Sequence, residues 1–444
     1  MNASTGQHAA LSLTAVVDDV PLSSYQLLIF SLCALIAMLD GFDTQAIGFV
    51  APAIAAGLHV PITDFGPIFA AGLTGGLFGA LIFGPLADRL GRKPILGLTV
   101  TVFAAGSLLT IGSSSAFELM ACRFLTGLGL GGAMPSIISM TAEYAPRRLR
   151  ATLVTAMFCG FPLGAVVGAI GVTRLLPLYG WRVVFILGGA LPLILLPLVI
   201  AAMPESIRWL AANGRSQMIG RILARMARVD LWDGRTHFDE STPNRSNVTG
   251  LFAAGRAAGT VLLWITFFLS LLLVYLLVSW MPTLAQQTGR EAGAGTLAAA
   301  ALNLGGILGS VCFGRLIDRF GPFSVVGLAY VLGSAIVVAL GVGTQLSAAI
   351  YWFAALVGFF CIGAQLCVVA IASSFYPVAL RGTGVGWSMG IGRIGAVAGP
   401  LVGGWMIGGP ADHHMLFSVL ALTSLVAGLM VLVMGRVSRG AATT

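Results

Sequence analysis

Asp40 and Asp43 lie in Met38-Leu39-Asp40-Gly41-Phe42-Asp43-Thr44-Gln45, inside the first of a dozen long apolar runs, and Arg123 and Arg393 lie inside two others. A charged side chain at the centre of a membrane helix costs about 2.5 to 3.5 kcal/mol on insertion scales, so a chain that keeps four of them gains something from each. Residues three apart on a helix share a face, and two carboxylates there repel when both are ionised, which favours a proton on one of them. A guanidinium pairs bidentately with a carboxylate. Acids and arginines held together in an apolar interior suit proton transfer and anion binding. Carriage of protons, ions or a charged solute is the simplest use for them.

Composition sets the surroundings. Of 444 residues, 57% are hydrophobic and 9% charged, a balance foreign to a water-soluble globule. Stretches near 20 apolar residues, the length that crosses a hydrocarbon layer of roughly 30 Å, recur twelve times. They fall at 25–50, 66–86, 94–113, 117–142, 151–172 and 181–202, then at 259–281, 292–314, 323–343, 347–371, 383–407 and 414–435. The runs are too long for the alternating segments of a membrane barrel. The expected fold is all-α: a polytopic membrane protein with six-helix halves over 25–202 and 259–435, a polar central loop over 203–258, and tails at 1–24 and 436–444.

Arginine and lysine are retained preferentially on the cytoplasmic side. Alternate loops hold Arg89, Arg92 and Lys93, then Arg147, Arg148 and Arg150, then eight arginines from Arg208 to Arg256, then Arg315, Arg319 and Arg381; Arg436 and Arg439 fall in the tail. The opposite loops hold only Arg174, Arg182 and Arg290. Both termini and the central loop are therefore expected in the cytoplasm. The net charge of +8 reports that topology rather than affinity for nucleic acid. The first twenty residues carry neither Lys nor Arg nor a cleavage site, so the first span is expected to direct insertion. All six cysteines lie in apolar spans without a CxxC pair, and all five histidines lie in tails or loops. No metal, cofactor or catalytic residue set is expected, and an enzyme is the weakest reading.

An internal repeat organises the chain. Gly84-Pro85-Leu86-Ala87-Asp88-Arg89-Leu90-Gly91 returns 230 positions later as Gly314-Arg315-Leu316-Ile317-Asp318-Arg319-Phe320-Gly321, and Pro52 and Pro282 keep that spacing. Two halves in parallel orientation follow. Residues demanded by the architecture should recur, whereas solute chemistry need not. Asp40 and Asp43 fall on Ser270 and Leu273, Arg123 falls on Ala354, and Arg393 maps back to Pro162. These four charges are the asymmetric set. At about 1.5 Å per residue, Asp40 lies roughly 22 Å from the start of its span, Arg123 roughly 9 Å from the opposite face, and Arg393 roughly 15 Å deep. Asp40 and Arg123 can pair if their helices face each other. Arg393 can bind a solute carboxylate or bridge internally to Asp40 or Asp43.

Three motifs resemble the major facilitator superfamily. Gly84-x-x-x-Asp88-Arg89-x-Gly91-Arg92-Lys93-Pro94 looks like its loop between helices 2 and 3, Arg123-x-x-x-Gly127-x-Gly129-x-Gly131 like its helix 4 motif, and Pro204-Glu205-Ser206-Ile207-Arg208-Trp209-Leu210 like the segment after helix 6 in its sugar and organic-ion branches. Asp40-Gly41-Phe42-Asp43 and Gly392-Arg393-Ile394-Gly395 look like the aromatic acid:proton symporters. That resemblance implies a monomeric importer in a bacterial inner membrane, carrying benzoate-type acids with protons by alternating access. The asymmetric charges themselves suggest proton coupling at Asp40, Asp43 and Arg123 and substrate binding at Arg393, while Trp280, Asn303, Gln365 and Trp387 can line the cavity or serve helix packing and an interfacial aromatic belt. Gly84, Asp88, Arg89, Gly91 and Arg92 can form a charge clasp between helices 2 and 3, extended to helix 11 or not, beside a plain topogenic role; Glu143 and Arg150 can relay to it or form a surface ion pair, and Asp318 and Arg319 are the second-half counterpart. An inside-negative potential of 100 mV opposes uptake of one anion by about 2.3 kcal/mol, which one cotransported proton cancels. A proton-coupled efflux antiporter for drugs or organic cations and a membrane sensor stay open beside this reading.

Overall fold

With no water in a hydrocarbon layer, each backbone N–H and C=O of a span must bond within the chain, which an α-helix does inside one segment. The computed structural model describes residues 11–12, 17–18, 22–227, 238–239, 248–253, 255–287, 293–343, 349–408 and 413–440. Among them, twelve helices are long and apolar enough to cross a membrane. The first half holds α1 (Ser24–Leu58), α2 (Phe65–Leu90), α3 (Arg92–Thr110), α4 (Ala116–Tyr144), α5 (Arg147–Tyr179) and α6 (Arg182–Ala202). The second holds α7 (Ala257–Gln287), α8 (Ala294–Phe320), α9 (Pro322–Gly343), α10 (Ala349–Val357, a π-helical turn at Gly358–Ile362, then Gly363–Phe375), α11 (Val378–Gly408) and α12 (His413–Gly440). Extended structure among the described residues is one two-residue parallel pairing, Leu11–Ser12 with Phe238–Asp239.

Several helices overrun the predicted spans into polar sequence, α1 to Leu58 and α5 over Arg147–Tyr179 among them. At α1, Ser23 and Gln26 form a capping box, and Gln26 Nε2 donates to the Tyr144 carbonyl at the end of α4, 2.8 Å away. The question of helix or coil over 211–258 lies partly outside the described residues. Within them, Ser216–Ala227 is an amphipathic helix whose Ile219, Leu223 and Met226 are buried in the first-half core, and Arg225 stacks on Tyr25 at 5.9 Å. It caps the first half.

The repeat in sequence is a repeat in packing. In the first half α1 packs on α5, α2 on α4 and α3 on α6; in the second α7 packs on α11, α8 on α10 and α9 on α12. The α2–α4 contact needs glycine, since a Cβ on Gly127 would occupy the space of the Gly72 carbonyl. Between halves, α1 meets α7, α2 meets α11 and α5 meets α8. These contacts gather toward the face opposite the central segment, where Gly48 lies against the Ser279 backbone and Gly66 against Pro400 and Gly404. On the other face, a Cβ on Gly84, Gly314, Gly382, Gly386 or Gly390 would meet open space. The halves are closed at one end and apart at the end that carries the central segment.

Candidate functional site

A cavity of about 250 Å³ lies between the halves, lined by Asp40, Asp43, Thr44 and Gln45 of α1, Arg123 and Thr126 of α4, Tyr275 of α7, Asn303 of α8, Gln365 of α10 and Arg393 of α11. Phe69, Phe158, Phe161, Phe267, Ile362 and Met389 supply apolar wall. The volume sits just under the roughly 300 to 1,000 Å³ of sites for drug-sized ligands, which suits a single ring.

The two acids on α1 have different surroundings. Arg123 Nη1 is 3.1 Å from Asp43 Oδ2, with side chains only 4% and 1% exposed. Ser107 Oγ donates to the other Asp43 oxygen at 2.8 Å, Arg123 Nη2 donates to Thr126 Oγ1 at 2.9 Å, and the guanidinium lies 5.1 Å from the Phe185 ring centroid. Sequence depth suggested Asp40 for this pair. A step of three residues turns the helix by about 300° and climbs about 4.5 Å, which aims Asp43 at α4 and leaves Asp40 to the cavity. Asp40 is buried and accepts a hydrogen bond from Thr44 Oγ1 of its own helix at 3.0 Å. Arg393 and Tyr275 lie within electrostatic range of it. Arg393 Nη1 reaches across the interface and donates to the Gly76 carbonyl of α2 at 3.3 Å. Among the described residues it has no carboxylate within ion-pair distance.

At the open end, α2 turns into α3 at Gly91, where φ is +102°. The Arg92 and Lys93 backbone N–H groups that begin α3 both donate to Glu205 Oε1, at 2.7 and 3.2 Å, and Ser206 N–H donates to the same oxygen at 2.8 Å. A carboxylate at a helix N-terminus satisfies orphan donors and the positive end of the helix dipole together. Arg92 also pairs with Asp88 at 3.2 Å and with Glu143 at 3.6 Å, while Ser206 Oγ donates to Glu143 at 2.6 Å. The clasp thus joins α2, α3, α4 and the segment after α6. Among the contacts of the described residues α11 does not join it, since α11 meets α2 nearer the opposite end, where Gly66 lies against Pro400 and Gly404. Arg150 is not Glu143's partner either: its Nη2 donates to the Ala145 carbonyl at 3.3 Å. Arg89, Asp318 and Arg319 are exposed, and Trp209 Nε1 donates to the Arg89 carbonyl.

A sequence profile described as the Major Facilitator Superfamily matches residues 33–363 and 263–443. The chain belongs to the major facilitator superfamily. Within it, the chain is 39% identical to the 4-hydroxybenzoate transporter PcaK of Pseudomonas aeruginosa over 96% of each protein, and 38% identical to a gallate transporter of Pseudomonas putida over 94% of each. The xylose transporter XylE from E. coli, in a partially occluded inward open conformation, superposes with a TM-score of 0.71 at 18% identity, covering 91% of this chain and 98% of that one. The last likeness concerns the fold alone.

Two tryptophans expected in the cavity of this major facilitator protein are elsewhere. Trp280 is fully buried in the core and donates its Nε1–H to the Pro400 carbonyl at 3.1 Å, holding α7 to α11. Trp387 is 46% exposed and stacks on Trp264, ring centroids 5.9 Å apart. Trp387 precedes Arg393 by six residues, about 240° around α11, which turns it away from the cavity strip, and Trp280 faces α11 rather than the cavity. Asn303 and Gln365 do line the cavity. Sequence reasoning assigned no individual role to Gln45, Tyr275 or Glu205, although Glu205 stands in the motif after helix 6. Gln45 carried a signal, an amide five positions after Asp40 in an apolar run, and the repeat sets Tyr275 opposite it.

Proposed function

We propose that this chain is a secondary transporter that carries a one-ring aromatic carboxylate with a proton by alternating access. The observation that carries the reading is Arg393, a guanidinium with no carboxylate within ion-pair distance among the described residues, in electrostatic range of Asp40 in a ring-sized apolar cavity between two halves closed at one end. The substrate class is supported by relatives named for 4-hydroxybenzoate and gallate. An ionised Asp40 holds Arg393 electrostatically. A proton on Asp40 releases that hold, and the solute carboxylate then takes both N–H groups of the guanidinium fork. Solute and proton therefore bind together.

The Asp43–Arg123 pair stays intact and fixes α1 against α4, so that Asp40 keeps its aim while the halves rock. The clasp of Gly84, Asp88, Arg89, Gly91, Arg92 and Glu143 holds the first half as one block through that motion. Asp318 and Arg319 have the weaker gating role. With the basic loops in the cytoplasm of a bacterium, the open end faces inward and both termini are cytoplasmic.

Uptake into proteoliposomes under an inward proton gradient tests this, with 4-hydroxybenzoate, protocatechuate, benzoate, gallate, a sugar and a cationic dye as the panel. One aromatic acid should accumulate, and collapse of the gradient, Asp40→Asn or Arg393→Ala should abolish accumulation. Accumulation unchanged by collapse of the gradient would remove proton coupling. Exchange of the dye for protons with no acid accumulated would replace the reading with efflux.

A further inference from the structure

The proposed carboxylate dock occupies one end of the cavity, and a neutral pair occupies another. Gln45 of α1 and Asn303 of α8 are 3% and 2% exposed and bond reciprocally: Gln45 Nε2 donates to Asn303 Oδ1 at 3.1 Å, and Asn303 Nδ2 donates to Gln45 Oε1 at 2.8 Å. The second Asn303 N–H goes to the Ala299 carbonyl of its own helix at 2.9 Å, which sets the amide's orientation. This arrangement leaves Gln45 one N–H beyond its bond to Asn303, and both amide oxygens a second lone pair. The pair lines the cavity. Buried polar groups in such a position discriminate strongly, because a solute that meets them with a hydroxyl satisfies them and one without it does not.

Position along α1 agrees with a single ring. Gln45 follows Asp40 by five residues, about 7.5 Å along the helix axis, so a ring whose carboxylate sits on Arg393 beside Asp40 points its far edge toward the amides. The repeat argues against a purely architectural pair. Gln45 corresponds to Tyr275 and Asn303 to Leu73, so the mirrored diagonal of the cavity has no amide pair. The amides also belong to different halves, and any opening of the closed end separates them. Each then presents free donors and acceptors to the incoming solute.

Resting on the transport reading above, we infer that Gln45 and Asn303 together determine specificity by reading a ring hydroxyl, and so distinguish hydroxylated aromatic acids from the unsubstituted acid. Gln45→Met and Asn303→Leu in the full-length protein, reconstituted in proteoliposomes, test this by kcat/KM for 4-hydroxybenzoate and for benzoate. The ratio of the hydroxylated to the plain acid should fall about tenfold or more in each variant, with thermal unfolding in detergent and the amount of reconstituted protein measuring folded, inserted transporter. Equal loss of both acids in both variants, the result for a pair that only holds α1 to α8, would overturn the inference. So would an unchanged ratio. Unaltered protein that carries neither acid would overturn the transport reading itself, and this inference with it.

Discussion

Gly91 and Gly321 end α2 and α8 with the same backbone, φ +102° and ψ 151° at one, φ +81° and ψ 155° at the other. Their surroundings differ. A Cβ on Gly91 would press on the Glu205 carboxylate, and Arg92, Asp88, Glu143 and Ser206 close a polar network around it. A Cβ on Gly321 would meet nothing, Asp318 is exposed, and the Arg319 guanidinium rests over its neighbour Phe320 at 5.3 Å. The turn recurs because both halves need helix, tight reversal, helix. Among the described residues the charge network does not recur, and the same half also owns the buried Asp43–Arg123 pair. One half is built as a tied block carrying the acids, and the other brings Arg393 to it.

The strongest way to break this contrast is to strand a buried charge. Asp43→Asn or Arg123→Met should destabilise the protein by about 3 to 5 kcal/mol, read as thermal unfolding in detergent, while the double change Asp43→Leu with Arg123→Met should recover most of that stability. A double variant no more stable than the singles would count against the pair as the cause. Next comes the glycine comparison. Both glycines sit in a region essentially reserved for that residue, worth about 1 to 3 kcal/mol to any other, but Gly91→Ala adds a clash with Glu205 that Gly321→Ala lacks. Equal falls in melting temperature would erase the proposed difference between the two turns.

Smaller effects sharpen the same point. Glu205→Gln keeps the shape but removes the negative charge at the start of α3, for a loss of about 1 to 2 kcal/mol in thermal unfolding. Asp318→Asn, at an exposed site, should change stability by about 0.5 kcal/mol or less, as chemical or thermal unfolding would report. A loss comparable to that of Glu205→Gln would mean that the second turn is tied in a way its exposure does not suggest.

How the two acids on α1 divide their tasks shows where sequence stops. Length and hydropathy by themselves determined the twelve helices, because a hydrocarbon layer admits little else at that length. The 230-residue repeat determined the two halves, and its exceptions singled out Asp40, Asp43, Arg123 and Arg393, all of which line one cavity. The helical period told that Asp40 and Asp43 share a face but not which of them meets α4, since 60° of helix rotation about its axis exchanges their partners and no local rule sets that rotation. Packing decided it, by seating α1 on α5 and α7 so that Asp43 points at Arg123. Trp280 and Trp387 went the same way: an aromatic in a span is equally compatible with core, cavity or lipid, and only the neighbours choose. Glu205 and the Gln45–Asn303 pair join residues 113 and 258 positions apart, and such pairings exist only once the bundle has closed.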